Sequence, residues 1–169
     1  MYMKSKHSKK LSDNDFLTIE KIYRIKLPIE FKDIYSNSNY LSEGLYDWGN
    51  FSRENVGMLK QLIKEAKNGV YRNINDIEWN NEWGEEPSKI DERENIIKRK
   101  LSSAPDLIPI RGHCYIAALD VEKSPVVSIV DTDIVYYSFD LKGYFSKQKI
   151  PKGTPLSVLP YIPFWTDLM

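Results

Sequence analysis

Apolar positions in the first two thirds of the chain recur at helical spacing. Phe16, Ile19, Ile22 and Tyr23 share one face behind Ser12, whose hydroxyl suits an N-cap and is followed by Asp13 and Asp15 in a turn that favours negative charge. Leu27-Pro28 marks the start of a second helix carrying Phe31, Ile34 and Tyr35, and Asn37-Ser38-Asn39 ends it. A third helix is predicted behind Ser52, with Phe51 and Val56 as a hydrophobic staple, a stripe of Val56, Leu59, Leu62, Ile63 and Ala66, and Gly69 as a left-handed stop. A fourth runs from Ser88 to about Leu101, with Ile90, Ile97 and Leu101 on one side, and Ala104-Pro105 closes it.

Beyond Pro105 the period changes. Leu107–Ile110, His113–Leu119, Val126–Val130 and Ile134–Phe139 are β-branched or aromatic runs parted by turn residues, the grammar of consecutive antiparallel strands. Asp131-Thr132-Asp133 forms a hairpin loop and Gly112 a bend or bulge. A short helix from Asp140 points Leu141, Tyr144 and Phe145 inward. The tail from Ile150 carries Pro151, Pro155, Pro160 and Pro163, so its Leu156, Leu159, Ile162, Phe164 and Trp165 are expected to pack on the body without regular structure. Helices followed by a meander predict a single α+β domain with helices against an antiparallel sheet, spanning residues 12–169 behind a basic, flexible arm of residues 1–11.

Charge narrows the functional classes. The 169 residues hold 24 Lys plus Arg and 24 Asp plus Glu, so no global field selects nucleic acid, and direct nucleic-acid binding is not expected. Four lysines and no acid stand in residues 1–10, which leaves 20 basic against 24 acidic groups in a mildly acidic body. No run reaches the roughly 18 apolar residues of a spanning helix, so no membrane partner is expected. The single cysteine, Cys114, fits a reducing compartment and points to the cytoplasm.

Nucleotide motifs are lacking: the eight glycines never make G-x-G or a P-loop. His113 and Cys114 are adjacent on a predicted strand, which sends their side chains to opposite faces and disfavours a thiolate–imidazole dyad. With two histidines and one cysteine, neither a metal nor a cofactor is expected.

The most distinctive stretch is Asp76–Glu94, with eight acids against Lys89 and Arg93 and two tryptophans four residues apart. Three readings stay open. Trp79 and Trp83, ringed by Glu78, Glu82, Glu85 and Glu86, have the make-up of a protein-binding hot spot, with Arg111 and His113 as further contact candidates. Alternatively, the acids complement a helix start and the tryptophans are ordinary core. Paired carboxylates, Glu78 with Glu82 or Glu82 with Glu86, would serve acid–base or metal work if they converged in a cleft.

Four pieces in order carry a family likeness: Leu27-Pro28-Ile29-Glu30-Phe31-Lys32, Trp79–Pro87, Ala104–Ile116 and Pro125–Tyr137. Together they resemble the SUKH superfamily, the bacterial relatives of the yeast cell-wall assembly regulator. The chain departs from it after the second helix, where Asn37–Gly44 replaces a glycine-rich acidic turn. The resemblance implies an α+β domain without catalytic residues, acting as an immunity protein that binds and neutralises a cognate toxin domain, often a nuclease. A scaffold or regulatory adaptor of the cell-wall regulator type is the alternative, and a hydrolase a more distant one. The oligomeric state is not fixed by the sequence.

Overall fold

A computed structural model describes residues 9–42 and 44–169. The chain is α+β, with five α-helices and a four-stranded antiparallel sheet in the order β1-β2-β3-β4 among the described residues. The helices are α1 (Asp13–Tyr23), α2 (Ile29–Tyr35), α3 (Arg53–Arg72), α4 (Ile90–Ser103) and α5 (Leu141–Phe145). The strands are β1 (Leu107–Arg111), β2 (Cys114–Ala117), β3 (Val126–Val130) and β4 (Asp133–Ser138).

Local chemistry sets several of these boundaries. Ser12 and Asp15 form a reciprocal capping box at α1: the Ser12 hydroxyl accepts from the Asp15 N–H and the Asp15 carboxylate accepts from the Ser12 N–H. Ser52 caps α3 through the Asn55 N–H. Phe51 is left 37% exposed and Val56 half-buried, so the entry to α3 is fixed instead by the Asn55 amide donating to the Asp47 and Asn50 carbonyls. Most of the basic arm, residues 1–8, lies outside the described residues. Leu11, at its end, is buried at 3% and donates its N–H to the Tyr35 carbonyl, so it belongs to the core.

Two helix limits differ from the sequence reading. Gly69 does not stop α3, which continues to Arg72 and is closed by Asn73, whose side chain donates to the Gly69 carbonyl. The missing side chain at Gly69 serves a close approach, because a Cβ there would sit 3.1 Å from the Asp131 Cα. α4 starts at Ile90 behind Lys89 with no side-chain cap, so Ser88 is not its N-cap, and Ile90 is 61% exposed. Its helix start is held by Arg93, which donates to the Ile77 carbonyl and to Glu86.

The sheet is covered on both faces, and the alternation of its residues divides the core. Ile108, Ile110, Ile116 and Val126 join α1, α2 and the first half of α3, with Phe16, Phe31, Tyr35 and Trp48 among them. Leu107, Tyr115, Ala117, Val127, Ile129 and Ile134 join the second half of α3, α4 and the C-terminal tail. In the tail Leu159, Ile162, Phe164 and Trp165 are buried as expected, whereas Leu156 is 45% exposed on a single 3-10 turn.

Among the described residues one carboxylate is buried. Glu30, 3% exposed in α2, accepts from the Leu141 and Lys142 N–H groups and so satisfies the first turn of α5. Burial raises its pKa above the ordinary carboxylate value, and the two backbone donors oppose that shift.

Candidate partner-binding site

The stretch from Ile74 to Trp83 cannot continue α3, because Asn73 has closed it, and two short 3-10 turns, Ile74–Asp76 and Asn81–Trp83, carry the chain towards α4. Buried Ile74 and Ile77 pin this connection to the second core, and the polar residues between them face outward. The Asn80 side chain accepts from the Glu82 N–H and turns the chain sharply enough to bring the two indoles together. Trp79 and Trp83 meet edge to face at 5.4 Å, and Trp83 lies parallel to Phe164 at 6.0 Å.

The tail closes the arrangement. The Trp83 indole N–H donates to the Asp167 carboxylate at 2.9 Å, the Tyr161 hydroxyl to its other oxygen at 2.9 Å, and the Asn80 amide to the Asp167 carbonyl at 3.1 Å. The Trp79 indole N–H donates to the Gly84 carbonyl at 2.8 Å. Arg93 lies 6.0 Å above the Trp79 ring and Lys100 5.4 Å above Trp83. Both tryptophans are half-buried and their polar handles are spent inside the protein, so what they present outward is ring surface.

Between this connection, the β3–β4 turn and the tail lies a cleft of about 540 Å³. Asp76, Glu78, Glu82 and Asp167 line it together with Trp79 and Thr132, and among the described residues no lysine or arginine does. Asp76, Glu78 and Glu82 are exposed and form no ion pair among the described residues. A cleft of about 500 Å³ beside α1 shows the contrast. There Glu20 and Asp106 share the wall with Lys21, Arg24 and Lys26, and each acid is paired, Glu20 with Lys32 at 3.1 Å and Asp106 with Lys67 at 2.9 Å.

The site candidates from the sequence are thus divided. Glu78, Trp79, Glu82 and Trp83 come together; Glu85 is exposed beside them, and Glu86 is tied to Arg93 at 2.7 Å. Arg111 does not join them. It donates to the Ser42 hydroxyl at 2.5 Å and lies 6.0 Å over the Tyr144 ring. His113 is exposed in the two-residue turn between β1 and β2, where it lines a shallow depression with Glu65, Gly69 and Asp131. Asp167 was missed by sequence reasoning; its signal was a lone acid in an apolar tail.

Among the described residues no group of three or more His, Cys, Asp or Glu is placed to hold a metal ion. Burial pushes the Cys114 thiol above its ordinary pKa, the reverse of what a thiolate nucleophile requires. No helix is long and apolar enough to cross a membrane among the described residues.

No family model, curated protein or solved structure matches this chain.

Proposed function

We propose that this protein is a non-enzymatic, cytoplasmic protein-binding module of the SUKH type, which captures and neutralises a basic toxin domain on its acidic cleft. The observation that carries this reading is the acidic cleft, where, among the described residues, Asp76, Glu78 and Glu82 are exposed and outside any ion pair, Asp167 lies beside them, and no lysine or arginine lines the wall. Unpaired carboxylates on a low-dielectric wall focus a negative potential, which concentrates a cationic partner and speeds its approach. The exposed ring surface of Trp79 supplies apolar contact within the same recess, so steering and retention fall on one surface. A nuclease-type toxin suits it, since a surface built to bind phosphates is itself basic.

The reading is tested by co-expressing the protein with the product of the neighbouring gene and scoring survival together with complex formation. In the triple variant Glu78→Lys, Glu82→Lys, Glu85→Lys, association is expected to slow by about tenfold or more and to lose its salt dependence. Stability should move by less than about 0.5 kcal/mol, because these side chains are exposed and away from the core. Unaltered binding by the triple variant would remove the cleft as the interface. Toxicity without rescue would remove the immunity reading.

A further inference from the structure

The two edges of the sheet are finished differently. Outside β1, the 45–48 segment covers the backbone: the Tyr46 N–H donates to the Ile110 carbonyl at 3.1 Å and the Trp48 indole to the Pro109 carbonyl at 3.1 Å. Pro109 itself has no N–H to offer. β4 reads Asp133-Ile-Val-Tyr-Tyr-Ser138, without the lysine or proline that commonly blunts an edge.

The register shows which backbone groups of β4 point outward. The Ile129 N–H donates to the His113 carbonyl in the β1–β2 turn, so its main chain is turned towards β2, and its partner Ile134 forms a non-hydrogen-bonded pair. The N–H and C=O of Ile134 therefore face away from β3, and by alternation those of Tyr136 do too. No backbone hydrogen bond reaches either residue from beyond the sheet among the described residues. Cover begins one residue later, where the Ile150 N–H donates to the Tyr137 carbonyl at 3.3 Å. Beside this open stretch, Val130 and Val135 lie on one face and are each 51% exposed.

We propose that the open β4 edge is a self-association surface, along which two copies of this chain pair antiparallel about Val135, with Ile134 of each opposite Tyr136 of the other, and extend the sheet across a two-fold axis. The charge at the two ends of the stretch selects this occupant. Asp133 opens β4, exposed and without an ion pair among the described residues. At the other end Lys149 holds its ammonium 5.5 Å over the Tyr137 ring. Antiparallel pairing brings the acidic end of each copy beside the lysine end of the other, twice by symmetry, and sets Val135 against the partner's edge. This inference is independent of the acidic cleft.

Sedimentation equilibrium of the full chain from micromolar to millimolar concentration tests it. A reversible monomer–dimer equilibrium is expected. Val135→Lys should raise the dimer dissociation constant by about tenfold or more with an unchanged melting temperature, because it sets a lysine on the exposed face beside the open edge. Asp133→Lys and Lys149→Asp should each weaken the dimer, and the double exchange should restore it. A chain that stays monomeric throughout overturns the proposal, as does a dimer indifferent to Val135→Lys or a double exchange no tighter than the single ones. A monomer whose capture of a basic partner is lost in Val135→Lys also overturns it, since the edge would then receive that partner's strand.

Discussion

Trp48 and Trp83 sit in the two cores, one on each side of the sheet, and they are used in opposite ways. Trp48 has no exposed surface and lies in a cage of rings, 5.1 Å from Tyr23 and 6.0 Å from Phe31, which in turn stacks on Tyr35 at 4.2 Å. Trp83 is half-buried and stacks on Phe164, a residue of a tail that has two 3-10 turns and no strand or α-helix after Phe145. The first core is held mainly by contact area, non-directional and cooperative, with the buried Trp48 to Pro109 hydrogen bond inside it. The second is fastened towards solvent by named polar links, Trp83 and Tyr161 to Asp167 and Tyr136 to Thr166. A region held by few directional bonds opens more easily than one held by packing, and surfaces that bind partners are drawn from that end of the scale.

The largest effect should come from the packed side. Trp48→Ala empties a fully enclosed site and strands the Pro109 carbonyl, so a loss of about 3–5 kcal/mol is expected. Urea denaturation followed by circular dichroism should show one transition at a lower midpoint with an unchanged slope. Two separate transitions would mean that the two cores unfold independently.

Trp83→Ala comes next, at about 2 kcal/mol, because the ring is only partly buried and the cost is shared between the Phe164 stack and the Asp167 bond. Much of that loss should be local. Release of the tail would appear as faster tryptic cleavage after Lys152 under native conditions and as accelerated amide exchange over residues 162–169. Equal acceleration in α1 and α2 would show that the tail is part of the global unit.

The contrast between these regions also sorts what the sequence made legible. The first core was readable because its signals are short-range and periodic: Ser12 with Asp15, the Phe16, Ile19, Tyr23 stripe, and Pro28 before Phe31 all lie within a few turns of their partners. The meander was readable for the same reason, to within a residue or two at the strand ends. At Gly69, a C-terminal stop and a close backbone approach ask for the same missing side chain, and the approach comes from Asp131, far along the chain. The acidic and aromatic half of the cleft was visible in composition. Its other wall depends on Asp167, which is 84 residues from Trp83, and no local pattern announces a partner at that separation. Arg111 and His113 stood in a motif-bearing stretch, but pleat and turn carry them to other surroundings.

The smallest effect separates the two kinds of core most sharply. Tyr23 is 8% exposed, and its hydroxyl is buried with no hydrogen-bond partner among the described residues; burial pushes its pKa up to about 12. On the other face the Tyr136 hydroxyl is shared between the Pro160 carbonyl at 2.5 Å and Thr166 at 2.7 Å. Removing an unsatisfied buried hydroxyl gives up no bond and cancels a desolvation cost, so Tyr23→Phe should be neutral or stabilising, by up to about 1 kcal/mol. Its ring contact with Trp48 survives the change, which leaves the hydroxyl as the sole variable. Chemical denaturation of wild type and variant side by side decides the matter. A loss beyond about 1 kcal/mol in Tyr23→Phe would mean that this hydroxyl has found a partner in solution.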